Sequence, residues 1–110
     1  MKTEEKDGYK LLSSEGVDFN TFKTSFTNEH TKFVNDNIII YLSSKLNVVE
    51  DDISVFLEYA AQHQKNGTTF VVVYPNVDVD VFPETFNIVP TLQEAEDVLE
   101  MENIQRDLGF

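Results

Sequence analysis

Over 110 residues, twenty Asp and Glu stand against eight Lys and Arg, and the net charge of -12 repels phosphate backbones and anionic membrane surfaces, which excludes nucleic acid and membrane as direct partners. The chain has no cysteine, so disulfides, Cys-ligated metal centres and Cys nucleophiles drop out as well. Hydrophobic residues make up 41%, nine of them Phe, which fills the core of a single domain over 1–110, and with neither a signal-like start nor a long apolar run the chain reads as cytoplasmic.

The first element is a hairpin. Asp7-Gly8 separates Met1 to Lys6 from Tyr9 to Ser13, and this dipeptide suits the positive φ angles of a two-residue turn, with Tyr9, Leu11 and Ser13 on one face. Phe19, Phe22, Phe26 and Phe33 then recur at spacings of three, four and seven, one face of a helix over about Asn20 to Val34. Asn35-Asp36-Asn37 ends it. The β-branched run Ile38 to Leu42 shows no alternation, which marks a central strand covered on both faces. A second helix starts at Glu50-Asp51-Asp52, acids suited to capping and to the positive end of the helix dipole, and its buried stripe is Ile53, Phe56, Leu57, Ala60 and Ala61.

Asn66-Gly67 closes that helix, and Thr68 to Tyr74 forms a second buried strand, parallel to the first through a right-handed crossover. Beyond Pro75, Val77, Val79 and Val81 alternate with Asp78 and Asp80, a pattern of either a short half-exposed strand or an irregular loop. Pro83 and Pro90 bracket a short strand over Phe86 to Val89. Thr91 and Glu94 have the spacing of a capping box, so the last helix starts at Leu92, with Leu92, Ala95, Val98, Leu99 and Met101 inward and Ile104 and Leu108 continuing towards Gly109-Phe110. The order hairpin, α, β, α, β, β, α defines an α/β fold.

These residues resemble the STAS family, the fold of the anti-sigma factor antagonists. Tyr41-Leu42-Ser43 looks like the Asp-Leu-Ser end of the family's central strand, and Thr91-Leu92-Gln93-Glu94-Ala95 looks like its last helix start. The likeness covers nearly the whole chain and implies a STAS-like mixed sheet of about four or five strands with an N-terminal hairpin and three helices. It also implies a non-enzymatic regulatory or adaptor role, binding a switch kinase or other regulator through the helix start after the central strand under the control of Ser phosphorylation. The sequence departs there, with Val49-Glu50-Asp51-Asp52 where the family has Asp-Ser-Ser-Gly. The usual phosphorylatable Ser is thus replaced by an acid, and a carboxylate carries about one negative charge against nearly two on a phosphate. The tail from Met101 to Phe110 also resembles that of small Bacteroidetes proteins, some labelled ribonuclease Z.

The residues do not support that label. Such chemistry needs two metal ions held by several His and Asp, and only His30 and His63 occur, in different predicted helices and each read as a surface or helix-flank residue. Asp78 and Asp80, two apart, are the carboxylates available to a metal-dependent enzyme, the competing reading; their plain reading is a solvated face. No phosphate loop or Ser-His-Asp order appears, so no catalytic residue, cofactor or metal is expected. The partner-binding candidates are Ser43, Ser44, Glu50, Asp51, Asp52 and Ser54, an acidic edge facing a basic groove on a protein partner. Ser54 is the remaining position for phosphorylation, expected in the first turn of the second helix, where free N–H groups would meet the phosphate. A self-associating structural module is the third reading.

Overall fold

The computed structural model describes residues 1–109, and Phe110 lies outside them. Five strands, β1 (Lys2–Lys6), β2 (Tyr9–Ser13), β3 (Ile38–Tyr41), β4 (Phe70–Val73) and β5 (Ile88–Val89), form one sheet in chain order. The β1–β2 hairpin is antiparallel; β2, β3, β4 and β5 are parallel neighbours. Helices α1 (Phe19–Glu29), α2 (Glu50–Ile53), α3 (Phe56–Asn66) and α4 (Leu92–Asp107) complete an α/β fold with a mixed sheet.

A parallel neighbour is reached by a crossover, and crossovers are right-handed, so two successive ones running in the same direction lay their helices on the same face. Accordingly α1, α2 and α3 share one face. There Phe19, Phe22, Phe26, Ile53 and Phe56 pack on Leu12, Ile38, Ile40, Phe70 and Val72. The opposite side chains of the same strands, Tyr9, Leu11, Ile39, Val71 and Val73, form a smaller cluster with Ala95 and Leu99 of α4. Because both faces are covered, β3 and β4 are apolar at every position from 38 to 40 and from 70 to 73. The edge strand β1 is mostly exposed and carries Lys2–Glu4 and Lys6–Glu4 ion pairs, charges that discourage pairing with another chain.

Several local expectations need correction. The turn after β1 takes a positive φ only at Gly8, 89°, so it is not a hairpin turn with both central residues left-handed. In β2 the expected face is present, Tyr9 and Leu11 packing with Ala95 and Leu99 of α4, and Leu12 is buried in the opposite core. The first helix stops at Glu29 and tightens into a 3-10 turn over His30–Phe33, which carries Phe33 into the core. The second helix is broken at Ser54 and Val55; its inward stripe is Ile53, Phe56, Ala60 and His63, whereas Leu57 is only half-buried and Ala61 is exposed. Of the two readings for 77–81 the loop is the one present, with an exposed 3-10 turn over Val79–Val81 and no strand.

The last helix departs most. Thr91 Oγ1 accepts the Glu94 N–H at 3.2 Å, the forward half of the expected box. Inward positions run Ala95, Leu99, Glu102 and Arg106, while Met101, Ile104 and Leu108 lie on an exposed stripe, Ile104 at 53%. The second half of α4 is therefore held by polar contacts at the start of β4 and just before β5. Thr69 Oγ1 donates to Glu102 Oε1 at 2.7 Å, Asn87 Nδ2 to Glu102 Oε2 at 2.9 Å, and Arg106 to Thr69 Oγ1 at 3.1 Å. At its other side the Tyr9 hydroxyl donates to Glu96 at 2.8 Å; burial and that carboxylate push the phenol up to about 12, so it keeps its proton and the bond persists at neutral pH.

Phe56 contacts the rings of Phe19, Phe22, Phe26 and Phe70, so Phe56→Ala is expected to cost about 3–5 kcal/mol in urea unfolding. The exposed Ala61→Ser should stay within about 0.5 kcal/mol of wild type, and a large loss there would contradict the helix phase described above.

Candidate functional site

In open parallel sheets the crevice for a ligand lies beyond the carboxyl ends of the strands. Here that edge gathers the segments after β2, β3 and β4, and it contains the whole candidate edge read from the sequence. Ser14 Oγ accepts the Ser43 N–H at 3.0 Å, Ser43 Oγ accepts the Lys45 N–H at 3.2 Å, and Asn76 Nδ2 reaches Ser44 O at 3.5 Å. Ser43 and Ser44 thus order the turn leading to α2. The Tyr74 hydroxyl, which donates to Leu46 O at 3.0 Å, ties the same loop to the end of β4.

The acids at 50–52 divide by role. Val49 stands at the N-cap of α2 and has no side-chain oxygen to offer; Asp52 Oδ2 instead accepts the Val49 N–H at 3.1 Å. Glu50 and Asp51 are left on the rim of a groove of about 400 Å³ between α2 and the loop after β4. Val48, Val49, Ile53, Val77 and Phe82 form its apolar walls, and Asp78 closes the rim opposite. Asp52 turns to the other side, beside Asp18 and Lys45. Asp78 was noted in the sequence only as a carboxylate paired with Asp80. The fold separates their roles: Asp78 Oδ1 accepts the Asp80 N–H at 3.1 Å, capping the 3-10 turn.

Ser54 does not meet free N–H groups. It is the C-cap of the one-turn α2, its N–H donates to Glu50 O, and its hydroxyl donates to Asp51 O at 2.6 Å. It remains exposed and is not among the residues that line the groove. A second, more apolar opening of about 560 Å³ lies on the α4 side of the same sheet edge, lined by Leu11, Tyr41, Pro75, Pro90 and Leu92 with Glu4 and Glu15. Nothing in the linear spacing of these residues points to it, because they come from all five strands or the segments just after them and from a helix start.

The two histidines overturn the surface reading. His30, 5% exposed, and His63, 0% exposed, approach each other at 2.9 Å between Nε2 atoms. Phe26, Tyr59 and Phe70 surround them, at the end of the sheet where the strands begin, away from the groove. The signal was present: His63 follows Ile53, Phe56 and Ala60 on the inward face of the second helix segment. Burial, then the neighbouring imidazole, lowers His63 to about 4, and burial lowers His30. Among the described residues no three His, Cys, Asp or Glu side chains gather as a metal site.

No protein-family model and no curated protein matches this chain. Among the described residues, no helix is long and apolar enough to cross a membrane.

The division of the acids generates a stability test. Asp52→Ala removes the bond to Val49 N–H and is expected to cost about 0.5–2 kcal/mol in denaturant unfolding. Glu50→Gln and Asp51→Asn, on the open rim, should change stability by less than about 0.5 kcal/mol. Equal losses at all three positions would contradict this assignment.

Proposed function

We propose that this chain is a non-enzymatic regulatory or adaptor domain of the STAS type that docks a cytoplasmic protein partner at the carboxyl edge of its sheet. The observation that carries the reading is the groove itself: it is lined by Val48, Val49, Ile53, Val77 and Phe82 together with Glu50, Asp51 and Asp78, with no Lys or Arg among its lining residues. Such a surface matches a partner's Lys or Arg, whose aliphatic stem covers the apolar side chains while its head meets the carboxylates. The STAS likeness supplies the class of partner, a switch kinase or another regulator. Glu50 gives the rim a fixed charge where the family carries a phosphorylatable Ser, and phosphorylation of the exposed Ser54 would add to it.

Affinity capture from the source cell, followed by titration of the purified partner, tests the reading. The triple variant Glu50→Gln, Asp51→Asn, Asp78→Asn should bind roughly tenfold or more weakly, and wild-type association should slow with added salt. A partner bound equally well by the folded triple variant overturns the surface. Calorimetry addresses the competing metal-dependent reading: binding of magnesium, manganese or calcium that is lost in Asp78→Asn would favour it over docking.

A further inference from the structure

We propose that His30 and His63 form an acid-released latch that holds the 3-10 turn His30–Phe33 against the end of α3. The hydrogen bonds define the latch. Thr68 Oγ1 lies 2.7 Å from His63 Nδ1 and 3.2 Å from His63 O, so this hydroxyl serves either ring tautomer. The two Nε2 atoms meet across 2.9 Å; between neutral rings one of them carries a proton and the other presents its lone pair. The bridge therefore requires at least one unprotonated Nε2.

Two protons from solvent have unequal effects. The first leaves a bridge in which an imidazolium donates to an imidazole. The rings of Phe26 and Tyr59, with centroids 5.3 and 4.7 Å from that of His30, lie within cation–π range. The second must go to the remaining bare Nε2, the acceptor of the bridge, and places two N–H groups head to head. The latch then parts. Around the pair, α1 contributes Phe26, α3 contributes Tyr59, β4 contributes Phe70, and the loop before β3 contributes Asp36, whose carbonyl and charge favour protonated His63 without offsetting burial. Opening frees the turn that carries Phe33, and with it part of the aromatic cluster.

Both imidazoles are depressed on folding, so their contribution to stability is complete above the ordinary value of 6.5 and is lost as the pH falls toward about 4. Each proton taken up on opening raises the opening constant about tenfold per pH unit within that window. The acidic excess acts oppositely, because neutralising part of the -12 charge relieves repulsion elsewhere in the chain.

The test combines ring-nitrogen NMR with hydrogen exchange, corrected for intrinsic rate, from pH 7.5 to 4.5 on the full chain. His30 is expected to titrate before His63, and protection over 30–37 and 59–68 to fall before that of β3 and β4. The double variant His30→Phe, His63→Leu should lose this pH dependence; if it does not fold, the wild-type data decide alone. A pair of rings that stays neutral with unchanged exchange down to global unfolding overturns the latch. So does titration of both rings near 6.5 without local opening.

Discussion

The handedness of the strand crossovers governs this molecule. Once β2, β3 and β4 are laid down side by side in one direction, a right-handed path can place α1 and the α2–α3 segment on only one face. The other face is left to whatever follows β5. A single helix, α4, takes it, and this asymmetry explains both the rich aromatic core on one side and the smaller aliphatic cluster on the other. It also places the ends of three strands and the start of α2 at one edge, where loops have room to diverge and a groove opens.

The aromatic side of the sheet has a second consequence. Phe26, Phe56, Tyr59 and Phe70 make a dry environment in which a charged imidazole loses its hydration, so burial disfavours protonation of the two histidines, which hydrogen-bond each other and Thr68. The sheet thus has chemically different ends. Where the strands begin, polarity is buried and internally paired; where they finish, carboxylates face water around exposed valines.

How much of this could be read from the chain depends on the range of the forces involved. The α/β order, both buried strands, the Gly67 stop with φ of 77° and the Thr91 cap follow from local periodicity and turn chemistry, and all are present. The break at Ser54 was hidden because Glu50 to Asn66 carries one continuous apolar period across it. Met101, Ile104 and Leu108 were drawn inward by hydropathy, yet the sheet below them ends in Thr69 and Asn87, which select Glu102 and Arg106 instead. At the groove, Glu50 and Asp51 could be picked out as a cluster, but Asp78 joins them only through the path of the loop after β4. The histidines, thirty-three residues apart, meet only once α1 and α3 lie side by side.

Strand order that equals chain order also bears on how the protein is made. During synthesis each new strand leaves the ribosome to find its neighbour already in place, so pairing never waits for a distant segment. The exception is α4: until its first half, which carries Ala95 and Leu99, is released, Tyr9, Ile39 and Val71 stay bare. The interval between β5 and the first turns of α4 is therefore when this face of the nascent sheet is most exposed to aggregation.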